Sequence, residues 1–279
     1  MPEGDSVYRV AHRLDDRLRG RTVRRSDLRV PRFATADLAG ARVLGTVSRG
    51  KHLLTRLDGP EVPTTLHTHL RMDGEWTVLA PGRRLPQRLQ PDVRVVLETD
   101  GPTALALRMP VVELLPTEAE HTVVGHLGPD LLSEELTREE VVERAVARLS
   151  REPDREVKAA LLDQRNLAGI GNLWADELCF LRGLSPWTPV SDVPDLARAV
   201  DLVARMLRFS VSTPGAAQVT TGDTRPGRRH WVSGRAGQPC LRCGTTVRVV
   251  AEVAGDPERR RTWWCPHCQP GPAPAANAG

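Results

Sequence analysis

The chain has 279 residues, 40 % apolar and 27 % charged, which is enough apolar content for a core and excludes disorder over most of its length. Its 39 basic and 35 acidic residues leave a net charge of only +4. No apolar run approaches about 18 residues and the first residues carry no basic leader, so a membrane span and a secretory signal are excluded and a soluble chain of one to three domains is expected.

After Asp5, residues Val7, Val10, Ala11, Leu14 and Leu18 recur at helical spacing, with Asp5 or Ser6 as the expected cap and Gly20 as the stop. From Thr22 to about Pro116 the pattern shortens. Segments such as Val43–Val47, His52–Leu57, Glu75–Leu79, Val93–Glu98 and Ala104–Leu107 are separated by Gly, Pro and Asp, which predicts an antiparallel sandwich or barrel. A domain boundary falls within Glu118–Leu131. Thr137 and Glu140 then form a capping box before a helix with Val141, Val142, Ala145 and Leu149 on one side. Three more helices follow at Arg155–Asp163, Leu173–Leu181 and Leu196–Phe209, with Gly169-Ile170-Gly171-Asn172 as a tight turn. Thr213–Gly237, rich in Gly, Arg, Thr and Pro, reads as a mobile loop, and the Pro-, Ala- and Gly-rich end as disordered. The fold class is therefore α+β and multidomain. An N-terminal helix plus antiparallel β-sandwich spans 1–120, a helical domain 121–225 and a zinc-ribbon hairpin 226–269, with a disordered tail over 270–279.

Cys240-x2-Cys243 and Cys265-x2-Cys268 are two knuckles of the kind that place four thiolates on one tetrahedral Zn²⁺. Four thiolates leave no open position, so such a zinc is structural. His267 is a bystander and Cys179 an ordinary packed thiol. Between the knuckles, Thr245–Val250 and Arg259–Trp264 read as a hairpin. The return strand begins Arg259-Arg260-Arg261, which is either a phosphate contact or a solvated charge run. Only Lys51 and Lys158 among the basic residues are lysines, a bias that codon usage in a GC-rich genome explains first, with phosphate binding as a second reading compatible with it.

Removal of Met1 before Pro2 would leave a free secondary amine. An α-amino group titrates near ~7.7–8.0, and the positive end of the following helix favours its neutral, nucleophilic form. Alone this start is weak. It is followed in order by Arg49-Gly50-Lys51-His52-Leu53-Leu54, His69-Leu70-Arg71-Met72-Asp73-Gly74, Leu161-Leu162-Asp163-Gln164, Leu167-Ala168-Gly169-Ile170-Gly171-Asn172 and the paired knuckles. The ordered set resembles the formamidopyrimidine-DNA glycosylase/endonuclease VIII family, and the opening Met1-Pro2-Glu3-Gly4 looks more like the endonuclease VIII branch. The resemblance extends to Gln269.

The resemblance implies a helix plus β-sandwich, a helix-two-turn-helix domain and a zinc finger, with damaged DNA, duplex or single-stranded, in the cleft between the halves. It implies a monomeric, nucleoid-associated cytoplasmic enzyme of a bacterium. The reaction implied is base excision of oxidised bases, pyrimidines in this branch, by a glycosylase that is also an AP lyase. Pro2 would attack C1′ of a flipped nucleotide and β/δ-elimination would cleave the strand. Glu3 matches the proton shuttle, Lys51 the lysine of β-elimination, and Arg260 the zinc-finger arginine of δ-elimination, with Arg259 and Arg261 one position away. Asn172 matches a phosphate-binding residue at a helix start, where a plain N-cap is the alternative. Met72 matches the side chain that fills the void of the flipped base, with core packing as the alternative. Arg71 and His126 take DNA-contacting positions but replace Gln and Arg. Ser6 replaces a Glu, and Arg108-Met109-Pro110 replaces the Arg-Arg-Phe wedge of the formamidopyrimidine branch. A DNA-binding protein without catalysis, and a zinc-ribbon interaction protein unrelated to DNA, remain as alternatives.

Overall fold

Val7, Ala11, Leu14 and Leu18 bury one stripe of an amphipathic helix, α1 (Gly4–Leu18), against two sheets. The computed structural model describes residues 2–59, 62–213, 218–250 and 260–273. It divides into two compact units, Met1–His126 and Leu127–Gly279. The cap of α1 differs from the expectation of Asp5 or Ser6. The helix starts at Gly4 with Glu3 as its N-cap, because the Glu3 carbonyl already accepts from the Ser6 and Val7 amides. Asp5 is instead buried in the first turn, where its carboxylate accepts from Arg9 at 3.1 Å.

The first unit carries eight strands, β1 (Val23–Leu28), β2 (Arg42–Arg49), β3 (His52–Asp58), β4 (Thr64–His69), β5 (Glu75–Leu79), β6 (Val93–Thr99), β7 (Thr103–Leu107) and β8 (Val111–Pro116). They form two antiparallel four-stranded sheets, ordered β1-β6-β7-β5 and β2-β3-β4-β8. Val95, Leu97 and Trp76 of one sheet share a core with Leu53, Leu57 and Leu66 of the other; each such buried side chain contributes about 1.5–3 kcal/mol. The expected sandwich is thus present. β1 and β4 escape an apolar reading because VRRSDL and TTLHTH are polar, yet Thr65, His67 and Thr68 are buried.

The second unit holds α3 (Arg138–Leu149), α4 (Val157–Leu162), α5 (Asn172–Leu181) and α6 (Leu196–Ser212), with a short α2 (His121–Val124) lying just before it in the first unit. The capping box of α3 forms as expected, with Thr137 Oγ1 accepting from the Glu140 amide and Glu140 Oε2 from the Thr137 amide. The turn before α5 is braced by Gln164, whose Oε1 accepts from the Gly169 amide while Nε2 donates to the Leu162 and Ile170 carbonyls. The hairpin between the knuckles pairs β9 (Arg248–Val250) with β10 (Thr262–Trp264). Its tip, including Arg259, lies outside the described residues, as do 214–217 of the Gly-rich loop and 274–279 of the tail. Among the described residues no helix is long and apolar enough to cross a membrane.

Candidate active site

α1 and β2 run antiparallel. The Gly20 amide donates to the Val43 carbonyl, Arg19 to the Leu44 carbonyl, and Asp15 Oδ1 accepts from the Thr46 amide. Toward the start of α1, the chain is therefore matched by later residues of β2. Eleven residues of helix from Asp15 to Gly4 cover about 16 Å, and the strand from Thr46 to Arg49 covers about 10 Å in the same direction before the turn at Gly50 and Lys51. Pro2, Glu3 and Lys51 consequently reach the same end of the first unit. Glu3 is 2 % exposed there, a buried carboxyl at the helix start.

Lys51 sits on a two-residue turn, since Arg49 pairs with His52. Gly50 takes the first central position with φ +58°, the left-handed conformation that a primed hairpin turn requires there. His52 pairs with His69 and His69 with Val111, so the following turn lies at the same end. That turn is closed by the Gly74 amide on the Leu70 carbonyl. A Cβ on Gly74 would stand 2.7 Å from that carbonyl oxygen and 2.9 Å from Leu70 Cα, so only glycine fits. Arg71, exposed on this turn, holds φ +48°, a left-handed conformation that costs a non-glycine residue of the order of 1 kcal/mol. Met72 is 63 % exposed, which rules out the core-packing alternative. Met109, by contrast, is buried in the core and offers no wedge, and Arg108 is paired with Asp92 at 2.8 Å.

Four histidines gather beside Lys51. His52 is ringed by His67, His69 and His126, the last exposed and 6.2 Å away by ring centroid. Burial, with His69, His67, His126 and Arg71 around it, pushes His52 down to about 3, so its ring is neutral at physiological pH. Of these histidines the sequence motifs mark only His126 as a site residue; the alternation His67-Thr68-His69 on a strand was the available signal for the others.

In the second unit, Asn172 opens α5, whose N-cap is Gly171, so the plain N-cap alternative is excluded. Its Nδ2 donates to the Arg261 carbonyl at 2.9 Å, and its buried Oδ1 has no hydrogen-bond partner among the described residues. Lys158 Nζ donates to the same carbonyl at 3.0 Å and to Thr262 Oγ1 at 2.9 Å, and stands 2.5 Å from Asp176 Oδ1. Burial pushes Asp176 up, against the pull of Lys158. The main chain at Arg261 is thus tied to α4 and α5, while its side chain is exposed and that of Arg260 half-buried.

The four cysteines converge. Cys243 and Cys265 Sγ are 3.5 Å apart, Cys240 and Cys268 4.0 Å, and all four lie within 4.8 Å of one another. A tetrahedron of thiolates at about 2.3 Å from a metal has edges of about 3.8 Å, so the set fits one metal ion. Gln269 braces it, accepting from the Cys265 amide and donating to the Leu184 carbonyl, both at 2.9 Å. Cys179 is buried and its thiol pushed up to about 12 by burial, with Asp176 adding to it, as a packed thiol should be.

Glu177, unread in the sequence, is fully buried and accepts from the amides of Trp231, Val232 and Ser233 at 2.8, 2.9 and 2.9 Å and from the Thr220 hydroxyl. The part of Thr213–Gly237 that is described has no regular element but is not loose around this carboxylate. Two adjacent acids in an otherwise apolar helix, Asp176-Glu177, were the overlooked signal.

Residues 1–110 match the formamidopyrimidine-DNA glycosylase N-terminal domain and residues 127–220 the H2TH domain of that family. The chain is 50 % identical over 276 residues to the probable endonuclease 8 2 of Streptomyces coelicolor, covering 98 % of this chain and 96 % of that protein. It is 41 % identical to the DNA-(apurinic or apyrimidinic site) lyase Nei2 of Mycolicibacterium smegmatis, covering 96 % of this chain and 99 % of that one. In fold it is similar to Lactococcus lactis Fpg in complex with DNA containing N7-benzyl-Fapy-dG, with a TM-score of 0.76 at 22 % identity over 97 % of this chain and 100 % of that one.

Proposed function

The chain belongs to the formamidopyrimidine-DNA glycosylase/endonuclease VIII family, and from that premise we propose that it excises oxidised pyrimidines through the amine of Pro2. It is a DNA glycosylase and AP lyase of base excision repair. The observation that carries the reading is the antiparallel run of α1 and β2, which supports a single reacting centre built from Pro2, Glu3 and Lys51.

In this reading Met1 is removed and the Pro2 nitrogen attacks C1′ of the flipped nucleotide. The glycosidic C1′–N bond breaks and its electron pair leaves with the base. The attacking nitrogen loses its proton, and Glu3 delivers a proton to the sugar ring oxygen as the C1′–O4′ bond breaks and the nitrogen lone pair forms the second C1′–N bond. Because the amine is secondary, the product is an iminium that keeps its charge and acidifies the C2′ proton. Loss of that proton expels the 3′ phosphate, and a second elimination expels the 5′ phosphate. Lys51 steadies phosphate and lesion, and Arg260, with Arg261 beside it, holds the phosphate in the second elimination. Asn172 binds backbone phosphate, Met72 fills the space of the flipped base, and Arg71 and His126 contact DNA. The four cysteines hold zinc, which supplies rigidity to the hairpin bearing Arg260 and Arg261 rather than chemistry. The partner is damaged DNA and the protein acts as a monomer associated with the nucleoid.

Borohydride trapping tests it. Protein tagged only at its C-terminus, with loss of Met1 verified by mass spectrometry, is mixed with abasic-site DNA and with thymine-glycol duplex. A reduced covalent adduct is expected with both and is absent in Pro2→Gly. No adduct with either from folded, zinc-loaded protein overturns the amine reading.

A further inference from the structure

A continuous line of hydrogen bonds leaves the site end of the sandwich and has no part in the roles above. Leu54 pairs with His67 and His67 with Glu113 across β3, β4 and β8. His52, two residues before Leu54, is therefore diagonal to His67 on the same face. His52 Nδ1 lies 2.8 Å from His67 Nε2, with the two rings only 18° apart in plane, and His67 Nδ1 lies 2.8 Å from Glu113 Oε2. The middle ring is sealed, its side chain 4 % exposed, whereas that of Glu113 is 37 % exposed and meets water.

The order of donors follows from chemistry. As a carboxylate Glu113 can only accept, so the proton of neutral His67 is on Nδ1. His67 Nε2 is then an acceptor, and the proton of neutral His52 is on Nδ1 as well. This leaves one free terminus. His52 Nε2 carries a lone pair and makes no hydrogen bond among the described residues. The groups facing the line are His69 and His67 from β4, His126, Arg71 from the Leu70–Gly74 turn, Glu113 from β8, and Lys51, which precedes His52 in the chain. The cationic and imidazole neighbours oppose a charge on His52, which suits a ring that passes protons rather than stores one.

We propose that Glu113, His67 and His52 form a proton relay for strand cleavage, with His52 Nε2 as its outer terminus. The proposal rests on the lyase reading above. As the C2′–H bond breaks, its proton goes to His52 Nε2, its electron pair forms the C2′–C1′ double bond of the enamine, and the 3′ C–O bond then breaks with its pair leaving on phosphate. The proton gained at His52 Nε2 is matched by transfer of the Nδ1 proton to His67 Nε2, and of the His67 Nδ1 proton to Glu113, which releases it to water. Both rings end in the opposite tautomer. His52 Nε2 is now a donor and can return a proton to a departing phosphate oxygen, and an inward transfer from Glu113 restores the start. The same ring nitrogen thus serves first as base and then as acid.

The test separates the relay from the lyase reading by measuring two steps on abasic-site DNA. Borohydride trapping reports the covalent adduct, which forms before the C2′ proton is lost. Single-turnover strand cleavage reports elimination. Glu113→Gln and His67→Phe are expected to lower the ratio of cleavage to trapping on the order of tenfold, a modest part of what a positioned acid–base group supplies, and to alter the pH profile of cleavage. His67→Gln, which keeps a hydrogen-bonding side chain but cannot pass a proton, is expected to lose as much as His67→Phe, and recovery of the wild-type ratio in it overturns the relay. Independently of folding or activity of any variant, nitrogen-15 shifts of the wild-type histidines are expected to show both His52 and His67 protonated on Nδ1 at neutral pH. Wild-type ratios and pH profiles in folded Glu113→Gln and His67→Phe, or a His52 protonated on Nε2, overturn the relay. Failure of the wild type to trap overturns the lyase reading and the relay's assigned step with it.

Discussion

Lys158 Nζ stands 2.5 Å from Asp176 Oδ1, and neither side chain is more than 2 % exposed. The ammonium also donates to the Arg261 carbonyl and the Thr262 hydroxyl. Charges taken out of water cost several kcal/mol each unless paired, so removing one partner is far worse than removing both. Lys158→Met or Asp176→Asn is expected to lower unfolding stability by about 3–5 kcal/mol, while Lys158→Met combined with Asp176→Leu costs less than either single change. Denaturant unfolding of the three variants checks the order. Because the pair also holds the main chain at Arg261, the single variants are expected to bind abasic DNA more weakly even at temperatures where they stay folded.

Glu177 makes the complementary case of a buried carboxylate satisfied by backbone. Its oxygens take the amides of Trp231, Val232 and Ser233, and the stacked rings of Phe180 and Trp231, 5.3 Å apart, lie alongside. Glu177→Ala strands those buried donors, at a cost of about 1–3 kcal/mol each for any that find no water. The expected result is early proteolysis within 218–233, seen by limited digestion and mass spectrometry, before the rest of the chain is cut. Wild-type resistance of that segment would contradict the assignment.

These two acids show where the sequence was readable and where it was not. The stripe of α1, the capping box of Thr137 and Glu140, and the paired knuckles are local signals, and each produced the expected element. The cap of α1 lies at Glu3 and not at Asp5 or Ser6, because the helix already begins at Gly4 and the Asp5 carboxylate is turned to Arg9 inside the first turn. β4 was hidden because a strand covered on both faces can bury Thr and His when cross-strand partners satisfy them. Lys158, Asp176, Glu177 and the line from His52 to Glu113 depend on contacts between residues far apart in sequence, up to 104 positions for Lys158 and Thr262. No spacing rule reports such pairs.

His52 gives the protein a specific response to acid. Burial, and the neighbours His69, His67, His126 and Arg71, push it down to about 3 from an ordinary value near 6.5. The unfolded chain therefore binds a proton at this ring between those two values and the folded chain does not. Stability is expected to rise with pH through that window and to fall as pH drops from about 6.5 toward 3. The loss from this one ring is of the order of a few kcal/mol. His52→Gln removes the titrating group, so the slope of stability against pH between 4 and 6 flattens, as measured by urea unfolding at several pH values. An unchanged slope would mean that the ring is charged or solvated in the folded protein.

The four cysteines set the remaining prediction. Cys265 and Cys240 are buried in a small cluster with Phe180, Val232 and Val247, and Trp264 packs edge-on to Trp187 at 4.8 Å. A cluster of this size cannot hold a hairpin by apolar burial alone, so the metal is expected to supply most of the local stability. Elemental analysis should find one zinc per chain. Its removal by a strong chelator, or Cys265→Ala, should shift the fluorescence of Trp263 and Trp264 to the red as they meet water. The same treatment frees the main chain around Arg260 and Arg261, so DNA affinity is expected to fall by tenfold or more at moderate salt, about 1.4 kcal/mol per factor of ten. The dependence of affinity on salt should become shallower, since the slope drops by close to one unit for every phosphate that the protein no longer neutralises. Retention of the wild-type salt slope after complete loss of zinc would place the hairpin arginines outside the DNA interface.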